Sequence, residues 1–195
     1  FSNRHSKAQS QLFHCYFFSI SILTFLKISP MMLFLSTSVW LGTNIGFSAC
    51  VMGLAMQDDA YLETIEFKAE NAIEARLNIE FFNLSQKITV TDAEALTFVQ
   101  NLAPNRKFDF IFIDANKKDN AEYILNLTDH VEPGGIICID NLLWKGRTTA
   151  RSLVDDGGME STLQIRKFNR ELIQNKKWYS QILPIGDGIA LCIKF

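Results

Sequence analysis

Blocks of apolar and polar residues alternate along the chain and predict strands and helices in turn from about residue 37 onward. Short apolar runs predict strands, and longer segments with apolar residues three or four apart predict helices. The predicted strands are residues 37–42, 60–67, 87–92, 108–114 and 136–140, and the predicted helices are residues 47–56, 68–83, 93–102, 120–131 and 161–175. Alternation of this kind indicates a parallel sheet with helices on both faces.

Two of these helices have an apolar stripe that we expect to form their inner faces. The stripes are Ala69, Ile73, Leu77 and Phe81 in the first helix, and Leu163, Ile165, Phe168 and Leu172 in the second. EPGG, residues 132–135, predicts a turn before the fifth strand, and Gly-Asp-Gly near the C-terminus predicts a hairpin. The predicted fold class is therefore α/β, a Rossmann-like, doubly wound, mostly parallel sheet with an antiparallel C-terminal hairpin strand.

The first 36 residues differ from the rest of the chain. Residues 12–35 are apolar and aromatic but are interrupted by Lys27 and Pro30. The run before Lys27 has about 15 residues, fewer than the roughly 20 that a membrane-spanning helix needs. We therefore predict an apolar segment of uncertain role over residues 1–36 and one domain over residues 37–195. A helix packed on this domain or on a partner is favoured, and membrane association through residues 12–35 is the second interpretation.

Composition narrows the class of partner. The chain has 195 residues, 19 Lys and Arg against 21 Asp and Glu, and a formal net charge of −2. A basic excess that would indicate nucleic-acid binding is absent, so a small-molecule ligand is favoured. The four cysteines are scattered without a C-x-x-C pair, which favours reduced thiols and a cytoplasmic location. The three histidines stand apart from one another, which argues against a histidine-based metal site or triad.

Small and acidic residues follow the first two predicted strands, at the edge where open α/β sheets bind ligands. Gly42 and Gly46 follow strand one, with Ser48 at the start of the next helix, and their spacing is not that of the G-x-G-x-x-G dinucleotide fingerprint. These glycines let the backbone approach a ligand, although a tight turn alone would also use them. Glu66 ends strand two and is placed to bind ribose hydroxyls, with Glu63 as the competing acid.

The third strand ends in Asp92-Ala93, where an adenine edge could be read. Asp92, or Thr91 together with Glu94, could instead cap the next helix.

Oxygen-bearing side chains end strands four and five, at Asp114 and at Asp140-Asn141. Three such ligands at adjacent strand ends suit a hard divalent cation. The alternative is that the two aspartates only cap the segments that follow. Lys117, three positions after Asp114, either points into the same pocket or is a surface lysine.

On the basis of these strand-end residues, the segment 37–195 resembles the metal-dependent class I O-methyltransferases, which include catechol and caffeoyl-CoA O-methyltransferases. The matching stretches, in family order, are LGTNIGFSA, ETIEFKAENAIEAR, FDFIFIDANK, PGGIICIDNLLWKG and LPIGDGIALCIK. The resemblance implies an enzyme that transfers a methyl group from S-adenosylmethionine (SAM) to a hydroxyl of a small catechol-like or phenylpropanoid substrate. It also implies a bound divalent metal, with Mg²⁺ as the expected ion, and assembly as a homodimer.

The resemblance gives each strand-end residue a role. The methionine end of SAM would be bound by Gly42, Thr43 and Ser48, and its ribose by Glu66. The adenine would be bordered by Asp92 and Ala93. The metal would be bound by Asp114, Asp140 and Asn141. The catalytic residues would be Lys117, as general base, and Asp114. Because we expect Asp140 to face solvent, Asp140→Ala should abolish metal-stimulated transfer and leave the protein folded.

Three positions depart from the family pattern. Trp40 stands where the family usually has a glutamate that contacts the cofactor, and Asn116 replaces a carboxylate after strand four. Lys145 stands where caffeoyl-CoA-type relatives use asparagine near the substrate. The alternative function is therefore a methyltransferase-fold protein that is catalytically impaired or non-catalytic. If the family geometry is retained, Trp40→Glu should tighten cofactor binding.

Overall fold

The computed structural model describes residues 35–150 and 158–195, and every structural statement below refers to these ranges. The strands are β1 Thr37–Leu41, β2 Tyr61–Glu66, β3 Ile88–Asp92, β4 Phe108–Ile113, β5 Val131–Ile139, β6 Trp178–Leu183 and β7 Ile189–Lys194. The α-helices are α1 Phe47–Ala55, α2 Ala69–Phe81, α3 Ala95–Gln100, α4 Asn120–Leu127 and α5 Met159–Gln174. Short 3₁₀ turns lie at Lys117–Asp119 and Thr128–His130.

The strands form one seven-stranded sheet in the order β3-β2-β1-β4-β5-β7-β6. Strands β1 to β5 pair in parallel, and β7 is antiparallel to both β5 and β6. This arrangement confirms the predicted α/β fold and its C-terminal hairpin. The strand order reverses between β1 and β4, and ligands of such sheets bind beside the carboxyl ends of the strands at that point.

Apolar clusters cover both faces of the sheet. One cluster joins α1 and α2 to the sheet through residues such as Met52 and Ala75, and the other joins α3, α4 and α5 through residues such as Val99 and Ile165. The central strand β4 contributes Phe110 and Phe112 to the first cluster and Ile111 to the second. Because β4 is buried on both faces, its sequence is a nearly continuous apolar run.

The inner face of α2 is not the predicted one. Ile73, Leu77 and Phe81 are 57%, 61% and 78% exposed, and Ala69 is exposed as well. The buried residues of α2 are Ala72, Ala75 and Ile79. A side-chain carbon built on Gly46 would lie 3.0 Å from the Cα and Cβ of Ala75, so α2 packs closely on the turn before α1. This close approach requires a small side chain at position 75, whereas Ile79, further along the same face, is buried in the core.

Leu77→Gln should therefore change the free energy of unfolding by less than about 0.5 kcal/mol, as is usual for surface substitutions. Ile79→Gln should cost about 3 kcal/mol, because it removes apolar packing and buries an amide. Urea denaturation of both variants measures the difference. Equal losses would contradict the orientation of α2 described here.

Two smaller predictions were also wrong. EPGG, residues 132–135, lies inside β5 rather than before it. The pairing register of β4 with β5 shifts between Phe108 and Phe110, and this irregularity accommodates EPGG within the strand. In α5, Leu163 is 50% exposed, whereas Ile165, Phe168 and Leu172 face the core as predicted.

Cys50, Cys138 and Cys192 are buried free thiols, in agreement with the prediction of structural cysteines. Within the described ranges, the helices are all too short or too polar to cross a membrane. The apolar N-terminal run on which the membrane interpretation depends lies outside those ranges, apart from Leu35. The homodimer and the cytoplasmic location remain predictions.

Candidate active site

The turn between β1 and α1 is held tightly between its neighbours. Gly42 has a φ of +105°, and a side-chain carbon there would collide with the backbone carbonyl oxygen of Asp114. The backbone N–H groups of Gly42 and Thr43 both donate to the carbonyl oxygen of Ile65, each at 3.0 Å. Gly46, with a φ of +82°, is the N-cap of α1. The packing of the protein itself therefore requires both glycines, and the turn is anchored to β2 and to the end of β4.

Two adjacent cavities open at the carboxyl ends of the parallel strands. The first, of about 660 Å³, lies at the ends of β2, β3 and β4, and the second, of about 590 Å³, lies at the ends of β4 and β5. Gly42, Asn44, Ile45 and Asp114 line both cavities. The two cavities therefore share a wall formed by the glycine turn and the end of β4.

Glu66 ends β2 with its side chain at the first cavity. It is 5% exposed, and its carboxylate accepts hydrogen bonds from the backbone N–H groups of Asn44 at 2.8 Å and Lys68 at 3.0 Å. Glu63, the competing acid, is instead paired with Arg106. The structure thus places Glu66, and not Glu63, at the cavity.

The residues after β3 divide between the first cavity and the surface. Ala93 and Glu94 line the cavity, whereas the Asp92 carboxylate is half exposed and forms an ion pair with Arg76 at 2.9 Å. The N-cap of α3 is Glu94, whose carboxylate accepts a hydrogen bond from the backbone in the first turn of the helix. The predicted capping roles of Asp92 and Thr91 are therefore wrong.

Thr43 and Ser48 line the second cavity, together with Gly42. Thr43 is 4% exposed, and its Oγ1 lies 2.6 Å from the Oγ1 of Thr64 on β2. A ligand that extends from the first cavity toward Thr43 and Ser48 must therefore pass Gly42.

The ends of β4 and β5 bring Asp114, Asp140 and Asn141 together at the second cavity. Asp140 is 2% exposed, so the expectation that it faces solvent was wrong. Burial, and next the charge of Asp114, raise the pKa of Asp140 to about 7. Its Oδ1 accepts a hydrogen bond from the backbone N–H of Asn141 at 2.6 Å. Lys117 Nζ lies 2.8 Å from Asp114 Oδ1, but the lysine lines a separate, smaller cavity together with Asn116 and Trp144 and is not among the residues that line the second cavity.

The side chains of Asp114, Asp140 and Asn141 meet some of the requirements of a hard-cation site. A buried carboxyl whose pKa is raised beside a second carboxylate is a group that a cation would help to ionise. Carboxylate and amide oxygens are also ligands that Mg²⁺ and Ca²⁺ accept. Within residues 35–150 and 158–195, however, no three His, Cys, Asp or Glu side chains are grouped so as to hold a metal. A cation would therefore need the amide of Asn141 and oxygens from water or substrate.

Asn116 and Trp40, two of the positions that depart from the family pattern, have structural partners. Asn116 caps the 3₁₀ turn that follows β4, and its Nδ2 donates to Asp119 at 2.7 Å. Trp40 is 3% exposed and stacks on Phe112, with ring centroids 4.0 Å apart. Its indole belongs to the apolar cluster between the sheet and α1 and α2, and Trp40 is not among the residues that line the two cavities.

The loop after β5 closes one side of the second cavity. Asp187, in the β6–β7 turn, accepts hydrogen bonds from the backbone N–H groups of Leu143 at 2.7 Å and Lys145 at 2.6 Å. Trp144 and Lys145, both with positive φ, line the cavity beside Phe47. Lys145 is thus a cavity residue, as its position near the substrate in relatives suggested.

Many residues that line the cavities were not predicted as site residues, among them Asn44, Phe67, Tyr123 and Trp144. Asn44, Phe67 and Trp144 lie within four positions of a predicted site residue, so their place after a strand was the available signal. Tyr123 lies on α4, and the sequence gives no indication that one residue of this helix reaches the cavity wall.

The chain matches the O-methyltransferase family over residues 23–195. Caffeoyl-CoA O-methyltransferase 2 of Eucalyptus globulus is 30% identical over 161 residues, which cover 78% of this chain and 64% of that protein. The chain therefore spans slightly less than two thirds of the length of this curated relative.

Solved structures share the fold. An O-methyltransferase from Bacillus cereus in complex with SAH has a TM-score of 0.74 and 24% identity, covering 90% of this chain and 80% of that one. TomG from Streptomyces achromogenes, an O-methyltransferase involved in tomaymycin synthesis and solved with SAM, has a TM-score of 0.74 and 22% identity, covering 89% and 78%. At these identities the likeness shows the fold alone. Because the family match includes every described strand and helix, this chain belongs to the O-methyltransferase family.

Proposed function

We propose that this protein transfers a methyl group from SAM to a hydroxyl of a small catechol-like or phenylpropanoid substrate. The observation that carries the proposal is the wall shared by the two cavities, which Gly42 and Asp114 line on both sides. SAM in the first cavity would present its methyl group at this wall, and a phenol in the second cavity would face it. Holding the two reactants in line in this way supplies much of the acceleration of such a transfer.

The first cavity suits the adenosine part of SAM. The Glu66 carboxylate already accepts two backbone N–H groups and, at 3.4 Å, the Nδ2 of Asn71. A carboxylate has about four acceptor positions, so one remains for a ribose hydroxyl. Thr43, Ser48 and the N-terminus of α1 lie further along, where the helix dipole favours the carboxylate of the methionine end. Two proteins of the same fold were solved with SAM and SAH, which supports a cofactor of this kind.

The second cavity suits the phenol and a divalent cation. Asp114, Asp140 and Asn141 would hold the cation, which when bound stabilises a phenolate anion at neutral pH. Lys117, in its neutral form and with its ion pair to Asp114 broken, would take the phenol proton. The phenolate oxygen would then bond to the methyl carbon while the carbon–sulfur bond broke. The electron pair of that bond would return to sulfur, and SAH would be the second product.

SAM should bind saturably in calorimetric titration of the full chain, and Glu66→Ala should weaken that binding. Loss of charged hydrogen bonds to ribose should cost a factor of about 10 to 100 in Kd. Glu70→Ala, an exposed acid in the first turn of α2, is the matched control and should bind as the wild type does. Circular dichroism verifies folding, because Glu66 also holds two backbone groups. A folded wild type that does not bind SAM would contradict the proposed function.

Lys117→Met should lower kcat for catechol methylation by about 100-fold or more, the usual contribution of a general base. Lys118→Met is the matched control, because Lys118 is an exposed neighbour on the same turn. SAM affinity measured in parallel separates loss of chemistry from loss of binding. Equal rates for the two variants would rule out Lys117 as the base.

A SAM-binding protein without transferase activity is the second candidate function. It is favoured by Asn116, which has no charge where the family has a carboxylate, and by the core position of Trp40. Saturable SAM binding without methyl transfer to any catechol tested would favour this candidate.

A further inference from the structure

The loop after β5, residues 141–150, adopts unfavourable backbone conformations where it borders the second cavity. Asn141, Trp144 and Lys145 have φ values of +64°, +51° and +56°, in the left-handed region that residues other than glycine rarely adopt. All three residues line the second cavity. Such conformations persist only where the surrounding structure fixes them, and they concentrate at functional sites. The groups that fix this loop are therefore candidates for a functional role.

The β6–β7 turn holds the first half of the loop. The backbone N–H of Leu142 donates to the carbonyl oxygen of Gly188 at 2.9 Å. The N–H of Leu143 donates to the carbonyl oxygen of Asp187 at 2.7 Å, and the N–H of Lys145 donates to Oδ1 of the same aspartate at 2.6 Å. Of these three acceptors only the Asp187 carboxylate belongs to a side chain, so it is the one that a substitution can remove.

Helix α5 holds the loop from the other side. The guanidinium of Arg166 donates through Nη2 to the backbone carbonyl oxygens of Arg147, at 2.8 Å, and Ala150. Three positions along the helix, Nδ2 of Asn169 donates to the carbonyl oxygen of Leu142 at 2.9 Å. Neither Arg166 nor Asn169 is among the residues that line the two cavities. Any effect of these two side chains on the second cavity therefore passes through the loop.

We propose that Asp187 and Arg166 are positioning residues, which hold the loop from its two sides so that Trp144 and Lys145 form a fixed wall of the second cavity and orient the acceptor substrate. The inference rests on the proposed function, which places the phenol in this cavity. A wall that is already ordered before the phenol binds avoids the entropy cost of ordering the loop at that step. It also keeps the reacting oxygen aligned with the methyl group.

Fluorescence measures the hold on the loop without any ligand. Of the three tryptophans of the chain, Trp40 and Trp178 are 3% and 2% exposed, whereas Trp144 is half-buried. Acrylamide quenches accessible indoles, so the difference between a protein and its Trp144→Phe form reports on Trp144. Asp187→Ala and Arg166→Leu should each increase this quenching and shift the emission to longer wavelength, because the loop opens more often.

Kinetics with catechol at saturating Mg²⁺ separate positioning from a purely structural effect. Each of the two variants should raise the KM for catechol about tenfold, the usual effect of losing one hydrogen bond to a charged group. The Kd for SAM should stay at the wild-type value, because the first cavity is unchanged. A structural defect would instead lower kcat and the number of SAM-binding sites together and leave KM unchanged. That pattern would overturn the inference.

The controls are matched in charge. Asp59→Ala, at an exposed position in the turn before β2, and Arg170→Leu, at an exposed position on α5, should keep the wild-type quenching and KM. Asp187→Asn retains a side-chain oxygen that can accept the N–H of Lys145, so it should restore most of what Asp187→Ala loses. An asparagine variant as impaired as the alanine variant would attribute the effect to the lost charge and overturn the role of Asp187 in holding the loop.

The proposed function and this inference fail in different ways. Wild type that methylates catechol, with Asp187→Ala and Arg166→Leu keeping its quenching and KM, would overturn the inference and leave the proposed function standing. Increased quenching with an unchanged KM would also overturn the inference, because the loop would be held without orienting the substrate. A folded wild type that binds SAM but methylates no catechol, or that binds no SAM, would overturn both.

Discussion

Trp40→Glu should destabilise the protein by about 5 kcal/mol, from loss of a buried indole and burial of an unpaired carboxylate. Trp40 is 3% exposed and stacks on Phe112 of β4, so the new side chain would enter the core between the sheet and α1 and α2. A loss of this size is comparable with the whole stability of many domains. The family resemblance alone predicted the opposite outcome, a tighter cofactor complex.

Urea denaturation followed by circular dichroism measures this loss. Trp40→Phe is the control, since a smaller aromatic ring keeps the apolar contact with Phe112 and should lose only part of the stability. A Trp40→Glu protein that is as stable as wild type and binds SAM more tightly would show that position 40 reaches the cofactor, contrary to the packing described here.

Asp140→Asn should lower Mg²⁺-stimulated methyl transfer to catechol by about 100-fold or more, which corresponds to about 3 kcal/mol of activation free energy. The expected cause is loss of a charged oxygen ligand at the floor of the second cavity, where Asp140 lies beside Asp114 and Asn141. Because Asp140 is 2% exposed, asparagine is a better test than alanine, which would leave a buried gap. The amide keeps the shape of the side chain and removes a desolvated charge, so the fold should be retained.

Initial rates measured against Mg²⁺ concentration, with a chelator as the zero point, test this result. Asp129→Asn, at an exposed position in the 3₁₀ turn before β5, is the control and should keep the wild-type Mg²⁺ dependence. A wild-type protein whose rate is unchanged by chelator, or an Asp140→Asn variant with the full rate, would contradict a metal at this site.

The strands and their ends could be predicted from the sequence because burial on both faces leaves a direct pattern. β4 is apolar at nearly every position, and the first residue after it that meets the cavities is the acid Asp114. Since the carboxyl ends of parallel strands meet at one edge, the sequence also predicted that Asp114 and Asp140 would lie together, as they do.

The direction of several side chains could not be predicted in this way. α2 buries Ala72, Ala75 and Ile79 and leaves its apolar stripe exposed, because the close approach of Gly46 to Ala75 fixes which face of the helix meets the rest of the domain. Glu94 and not Asp92 caps α3, since the ion pair with Arg76 draws Asp92 to the surface. Each outcome depends on a neighbour distant in sequence, which periodicity does not report.

The sequence by itself determined the α/β class, the edge of the sheet that carries the candidate site, and several of the glycines and acids at that edge. These features follow from local patterns, namely apolar runs, glycine turns and acids at strand ends. Only the tertiary structure decided that Trp40 is a core residue, that Asp140 is buried, and that Tyr123 of α4 lies beside the first cavity. Burial and hydrogen-bond partners are set by the packing of elements far apart in the chain, so they exist only once the sheet and its helices have assembled.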